Sequence, residues 1–162
     1  MKRIYSVWVE NRSGVLSKVS GLFARRSYNI DSLTVGETRD KTVSSMTIVS
    51  SGTNHTLEQI EKQLNKKLDV IKVRTFGEEQ AILREVILLK VKYTSSQRKE
   101  LMEICEFLKA DIVDATTTHM IITLCDTPDR IEKLLSMLKE FNITEISRTG
   151  TLAMPKCSEG EA

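Results

Sequence analysis

A short polar turn, residues 11–16 with the sequence NRSGVL, holds the residues best suited to bind a ligand. It separates a strand-like run from a helix-like run, and the start of a helix presents unpaired N–H groups and partial positive charge that favour an anion. Gly14 allows close approach to the backbone because it has no side chain. Asn11 and Asn29 add amides that can meet a carboxylate and an ammonium group together. The turn therefore predicts a site for a small carboxylate.

Apolar residues that lie near this turn in the sequence could form a small wall beside such a ligand: Val15, Leu16, Ile30, Leu33 and Val35. A purely structural interpretation uses the same polar residues. In that interpretation Ser13 caps a helix, Gly14 is a turn residue and Asn29 starts a strand. The pattern of residues by itself leaves both interpretations open.

Residues that could form a catalytic or metal centre are sparse. The two histidines, His55 and His119, show no metal-ligand spacing, and no GxGxxG, GxxxxGK[ST] or GxSxG motif occurs. The three cysteines, at positions 105, 125 and 157, include no CxxC pair, which argues against a disulfide framework or a zinc site. We therefore expect no catalytic residue and no metal site in this chain.

The elements that would position the turn follow from hydrophobic periodicity. In the first half, the predicted elements are a strand at 3–10, a helix from residue 15, strands at 29–37 and 43–50 joined as a hairpin, a helix after a capping box at Thr56 and Gln59, and a strand at 70–76. In the second half they are a strand at 84–93, a helix capped by Thr94 and Gln97, a hairpin of 110–117 with 119–126, a helix capped by Thr127 ahead of Pro128, and a strand at 143–153.

Both halves thus have the order βαββαβ, which predicts an α+β protein of two ferredoxin-like domains in tandem. Each domain would be an antiparallel sheet with two helices on one face. The predicted bounds are 1–76 for the first domain, 77–83 for a linker, 84–154 for the second domain and 155–162 for a flexible tail.

Composition limits the classes of partner. The 162 residues carry a formal net charge of +2, but residues 1–76 hold 13 Lys+Arg against 7 Asp+Glu and residues 77–162 hold 11 against 15. This asymmetry indicates separate roles for the halves, or docking between oppositely charged surfaces. The run IYSVWV after Lys2 and Arg3 is too short for an export signal, and nothing approaches the length of a membrane span. We expect a cytoplasmic protein that binds no membrane.

RNA binding is a separate alternative, because the RNA-recognition module shares the βαββαβ order. That module stacks bases on aromatic residues of its central strands. The predicted third strand here, VSSMTIVS, has no aromatic residue, and aromatics make up only 5% of the chain. We therefore expect no nucleic-acid partner.

Several segments resemble a known family. The run NRSGVLSKVSGLFARRSYNIDSLTVGET is similar to the opening of an ACT domain, and specifically to that of the regulatory small subunit of acetolactate synthase (acetohydroxyacid synthase). The similarity covers nearly the whole chain, through the segments KRIYSVWVENRSGVL, YNIDSLTV, LEQIEKQLNKKLDVIKV, REVILLKV and EISRTGTLAM.

This resemblance implies a protein without its own active site. Members of the family bind a large thiamine-diphosphate-dependent catalytic subunit, raise its activity and make it sensitive to inhibition by valine. The complex condenses two pyruvates, or pyruvate with 2-oxobutyrate, on the route to branched-chain amino acids. Thiamine diphosphate, magnesium and FAD would all belong to the catalytic partner, so this chain would carry no cofactor.

The resemblance also implies a homodimer in which ACT domains pair edge to edge with valine at their interface. Carried over to this sequence, the effector-binding residues would be Asn11, Ser13, Gly14, Val15 and Leu16 from one subunit with Asn29 and Ile30 from its mate. We expect the C-terminal domain to contact the catalytic subunit. The alternative is a free-standing amino-acid-sensing ACT protein with another partner.

Overall fold

Alternating and helical hydrophobic patterns produce nine strands and four α-helices in residues 1–157, the part of the chain that this computed structural model describes. The elements are β1 Lys2–Glu10, α1 Val15–Arg25, β2 Ser32–Glu37, β3 Val43–Ser51, α2 Asn54–Asn65, β4 Val70–Phe76, β5 Ala81–Lys92, α3 Arg98–Leu108, β6 Asp111–Ala115, β7 His119–Asp126, α4 Pro128–Met137, β8 Asn142–Arg148 and β9 Leu152–Pro155. Residues 158–162, most of the predicted tail, lie outside the described residues.

The chain divides into two units, and the first is discontinuous. It comprises Met1–Ile82 together with the segment from Thr151 onward, whereas the second comprises Leu83–Gly150. The sequence predicts bounds at 76 and 84, whereas this division groups residues 77–82 and the described residues 151–157 with the first unit. The second unit is therefore an insertion within the first.

The first unit contains a four-stranded antiparallel sheet with strand order β2-β3-β1-β4. Tyr5, Val7 and Val9 alternate along β1 and point to the same side as the buried residues of α1 and α2. This side of the sheet holds the main core of the unit. The order places β2 at one edge of the sheet, where β3 is its only neighbour in the sheet.

The second sheet repeats this arrangement with strand order β6-β7-β5-β8, and β9 is its fifth strand, paired with β5. Ile87, Leu89 and Val91 alternate along β5 and pack with the buried faces of α3 and α4. Thr127 caps α4 by accepting the Arg130 N–H at 3.4 Å, with Pro128 as the first helical residue. The α+β class and the two tandem βαββαβ units are thus confirmed.

Three predicted boundaries are wrong for identifiable reasons. The helix α2 begins at Asn54 because Thr53, not Thr56, caps it, with the Thr53 hydroxyl accepting the Thr56 N–H at 3.2 Å. The second strand begins at Ser32, so Asn29 lies in the preceding loop. The predicted strand 143–153 is interrupted by Gly150, whose φ of 82° ends β8 and redirects the chain into β9.

No helix among residues 1–157 is both long and apolar enough to cross a membrane.

The Tyr5 hydroxyl provides a test of the first core. Tyr5 is fully buried, its hydroxyl donates to the Leu57 carbonyl at 2.8 Å, and burial raises the pKa of its phenol. We expect Tyr5→Phe to lower the free energy of unfolding by about 1 kcal/mol, because a buried hydrogen bond is lost while the ring remains. Urea denaturation measures the change. Tyr28→Phe, which removes a hydroxyl from a half-buried ring, is the control, and equal losses in the two variants would contradict the assignment.

Candidate functional site

The turn before α1 is shaped by Gly14. This residue occupies the N-cap position with φ 84° and ψ −7°, a left-handed conformation that favours glycine, and α1 begins at Val15. Among the described residues no side chain caps the helix, so Ser13 does not have the capping role of the purely structural interpretation. A Cβ built on Gly14 would meet no atom within 4 Å. The backbone of the turn is therefore open to an approaching group.

Backbone donors are available at this turn. The Val15 N–H donates to the Arg12 carbonyl at 3.3 Å, and the first regular helical bond runs from the Lys18 N–H to the Gly14 carbonyl at 3.0 Å. Within the described residues, the N–H groups of Gly14 and Leu16 have no backbone acceptor. Donors of this kind at a helix start attract an anion, and the helix dipole adds to the attraction.

Asp69, just before β4, holds the turn in place from one side. Its carboxylate accepts from the Arg12 guanidinium at 2.9 Å and from the Lys18 ammonium at 2.8 Å, and its side chain is only 12% exposed. The hydrogen bond from Lys18 is the main cause that lowers the pKa of Asp69. Arg12 also pairs with Glu10. The Arg12 cation is thus bound to two carboxylates of its own unit.

The pairing of Asp69 with Arg12 and Lys18 has a predictable pH dependence. Because the folded pKa of Asp69 lies below its unfolded value of about 3.9, its stabilising effect is complete above that pH and is lost as the pH falls through the folded pKa. We expect Asp69→Asn to be less stable than wild type near pH 7, and we expect this difference to shrink as the pH falls through the folded pKa of Asp69. Urea midpoints across this range measure the difference. A difference that persists at the lowest pH would contradict the role of the charge.

Asn11 ties the same turn to the β2–β3 hairpin. Its backbone N–H donates to the Thr42 carbonyl at 2.8 Å, and its side-chain Nδ2 donates to the Lys41 carbonyl at 2.9 Å and to Glu37 Oε1 at 3.3 Å. These bonds use the amide nitrogen and leave the amide oxygen as an acceptor. The turn therefore lies beside Glu37, at the C-terminal end of β2.

Asn29 lies in the loop before the other end of β2. Its Nδ2 donates to Asp31 Oδ1 at 2.5 Å, and its carbonyl accepts from the Ser50 hydroxyl at 2.6 Å. The following residue, Ile30, is half-buried and packs against the core of the unit. Asn29 itself is exposed, and its amide oxygen is also left as an acceptor.

The two groups of predicted site residues lie at opposite ends of the sheet within one chain. The turn follows Glu10, which pairs with Val43 at the start of β3, whereas Asn29 bonds Ser50 near the end of β3. Val43 and Ser50 are seven residues apart along β3, which corresponds to a distance of about 23 Å. A single chain therefore does not bring Asn11 and Asn29 together.

The apolar residues near the turn divide into buried and exposed groups. Val15 is 3% exposed and belongs to the core, and Leu33 is half-buried against it. Leu16 and Val35 are 44% and 41% exposed. Of the predicted wall, these two side chains are the ones most accessible to a ligand.

Comparison with known proteins identifies the family. Residues 5–72 match the family described as AHAS small subunit-like ACT domain, and residues 84–157 match the family described as small subunit of acetolactate synthase. The acetolactate synthase small subunit of Haemophilus influenzae is 44% identical over 157 residues, which are 96% of each chain. The chain belongs to the acetolactate synthase small-subunit family.

Two further members of the acetolactate synthase small-subunit family match over nearly their full length. The small subunit of Bacillus subtilis is 41% identical and aligns with 100% of this chain and 95% of its own. The crystal structure of the small subunit from Thermotoga maritima superposes with a TM-score of 0.90 at 34% identity, covering 96% of this chain and 98% of that one. The resemblance predicted from the sequence is therefore confirmed.

Other features of this family member lie apart from the turn. A cavity of about 380 Å³ is lined by Leu22, Arg25, Arg26, Gln63 and Lys67 of the first unit and includes none of the predicted site residues. Within residues 1–157 no group of three or more His, Cys, Asp or Glu side chains could hold a metal ion. Cys105 is buried, and burial raises the pKa of its thiol, whereas Cys125 and Cys157 are exposed.

Sequence reasoning missed two contributors to the geometry of the turn. Asp69 is a lone acidic residue in the basic run KKLDVIK, and Lys41 contributes only its backbone carbonyl. The acid could have been noted as a partner for the cations Arg12 and Lys18. A backbone carbonyl leaves no trace in the sequence.

Proposed function

We propose that this chain is the regulatory subunit that activates the thiamine-diphosphate-dependent catalytic subunit of acetolactate synthase and confers feedback inhibition by valine. The chain contributes no catalytic residue of its own. Thiamine diphosphate, magnesium and FAD reside in the catalytic partner, which condenses two pyruvates or pyruvate with 2-oxobutyrate. The observation that carries the proposal is the separation of the turn from Asn29 along the edge strand β2.

Pairing of two chains through β2 would bring the turn of one chain next to Asn29 of the other. When two copies of an edge strand pair antiparallel about a two-fold axis, the C-terminal end of β2 in one copy lies beside the N-terminal end in the other. Asn11 is bonded to Glu37, the last residue of β2, and Asn29 lies three residues before Ser32, the first. The turn of one copy therefore meets Asn29 of a second copy, and the dimer contains two equivalent sites.

The chemistry of these groups suits a small aliphatic amino acid. The helix-start donors at Gly14 and Leu16, together with Ser13, receive its carboxylate. The amide oxygens of Asn11 and of Asn29 in the second copy accept from its ammonium group. Leu16 of one copy and Ile30 of the second copy border its side chain. The backbone of Val15, next to Leu16, lies nearby. The branched aliphatic side chain of valine suits such an apolar border, and its longer homologues differ from it by only about one methylene.

The two units have different functions in this proposal. The first unit dimerises and senses valine, because it alone carries a glycine-bearing turn between its first strand and helix. The equivalent turn of the second unit has the sequence KYTSSQ and no glycine. The second unit contacts the catalytic subunit. Its residues 83–150 hold 10 Lys+Arg against 11 Asp+Glu, whereas residues 1–82 hold 13 against 9, so the second unit is near neutral and the first is basic, which fits a separate partner.

Acetolactate formation by the cognate catalytic subunit tests the proposal. The rate is measured with and without this chain, across a valine titration. Stimulation by the chain that valine reverses is the expected result. Absence of both effects would contradict the proposal and favour a free-standing amino-acid-sensing ACT protein, which would also fail to co-purify with a thiamine-dependent enzyme.

A further inference from the structure

The sheet of the first unit is covered on both faces. Residues that point away from α1 and α2 are nonetheless buried: Ile4, Ser6, Thr47, Val49 and Phe76, all with 8% exposure or less. The pairings of Ile4 with Val49 and Phe76 and of Ser6 with Thr47 place them on one surface, which we call the second face. A two-layer unit without a cover would leave this surface in water.

The segment Thr151–Lys156 belongs to this cover and is bonded directly to β2. The Thr151 N–H donates to the Ser32 hydroxyl at 2.7 Å, and the Thr34 hydroxyl donates to the Thr151 carbonyl at 3.4 Å. Ser32 pairs with Val49 and Thr34 with Thr47, so both hydroxyls lie on the second face. At its other end, the Lys156 N–H donates to the Gln80 carbonyl at 2.9 Å. Thr151 itself is only 8% exposed.

We propose that Thr151 is a positioning residue for the effector response: its bonds to Ser32 and Thr34 couple the occupancy of the effector site to the segment 151–156. This inference rests on the proposed function. Ser32 begins β2 three residues after Asn29, so a ligand that holds Asn29 also restrains the start of the strand that holds Thr151. Gly150, with its positive φ, joins this segment to β8 of the second unit. The segment is thus hydrogen-bonded to the effector-sensing strand and covalently joined, through Gly150, to the second unit.

Coupling of this kind is measured as a change in effector response rather than as a loss of folding. Ser32→Ala removes the acceptor of the Thr151 N–H, and we expect the valine concentration for half-inhibition to rise about 3- to 10-fold, as for loss of one buried hydrogen bond. Ser45→Ala is the matched control, because Ser45 lies on the same face of β3 opposite Gly36 and makes no bond to the segment. This control is expected to leave the half-inhibiting concentration unchanged.

Hydrogen exchange gives a second measurement, which would not respond to valine if Thr151 had only a structural role. In the full-length dimer, valine is expected to slow amide exchange in the peptide 150–157 of the wild type, and Ser32→Ala is expected to lose this effect while Ser45→Ala retains it. A wild type that responds to valine without slowed exchange in this peptide, or Ser32→Ala with a wild-type half-inhibiting concentration, overturns the inference alone. A wild type without any valine response overturns the proposed function and the inference with it.

Discussion

Gly14→Asp is expected to abolish valine inhibition of the reconstituted enzyme while stimulation by the regulatory chain continues. The new side chain would extend into the open space above the turn, where a Cβ meets no atom within 4 Å. Its carboxylate would oppose the carboxylate of valine. Two like charges about 4 Å apart near a protein surface repel by about 4 kcal/mol, which corresponds to roughly 1000-fold weaker binding. Acetolactate formation across a valine titration measures the effect.

Gly14→Asn separates charge from shape in this experiment. Asparagine and aspartate have the same size and both tolerate the left-handed conformation that Gly14 adopts at φ 84°. The asparagine variant therefore carries the same backbone cost and the same bulk without the repulsion, and we expect it to remain inhibited at higher valine concentrations. If both variants lose inhibition equally, the carboxylate of the ligand does not lie at this turn. Retained inhibition in Gly14→Asp would refute the site.

Mixing two defective chains is expected to restore valine binding. In a site shared between copies, Gly14→Asp and Asn29→Asp each destroy both sites of a homodimer. A mixed dimer of the two variants combines both substitutions in one site and leaves the other site with a wild-type turn and a wild-type Asn29. Random mixing makes half of the dimers mixed, so about a quarter of all sites regain valine binding. Equilibrium binding of labelled valine after exchange of subunits measures the fraction.

The matched control places both substitutions on one chain and mixes it with wild type. Each site of that mixed dimer then has one defect, so only the wild-type homodimers, about a quarter of the population, retain sites. Mixing wild type with the double variant should therefore reduce valine binding. Mixing the two single variants, neither of which binds valine alone, should restore it. If the single variants do not complement one another, the effector site is confined to one chain.

The order of elements was accessible from the sequence because each signal is local. Val15, Val19 and Leu22 mark the buried stripe of α1, and Thr127 with Pro128 marks the start of α4, without reference to any distant residue. Boundaries failed where two local cues competed. Thr53 and Thr56 are both suitable caps for α2 by residue type, and the structure has Thr53 in that position.

The geometry of the candidate site was accessible only in part. A glycine-bearing turn at a helix start can be recognised from residue types, and Gly14 has the expected positive φ. The separation of Asn11 from Asn29 depends on the register of β1 with β3, which links residues far apart in the chain. The bonds of Asp69 to Arg12 and Lys18 depend on the fold in the same way. Sharing of the site between subunits was suggested by the family resemblance, and no residue pattern in one chain could have indicated it.

The discontinuity of the first unit has a consequence for synthesis on the ribosome. The segment from Thr151 onward emerges after the whole of Leu83–Gly150, although it belongs with Met1–Ile82. At ordinary translation rates the inserted unit takes roughly 3 to 14 s to make, and it can fold in that time. Throughout this interval Ile4, Val49 and Phe76 lack the segment Thr151–Lys156. The nascent first unit therefore exposes an apolar surface until the last part of the chain is released, and a message cut short within the insertion would yield a chain that never covers it.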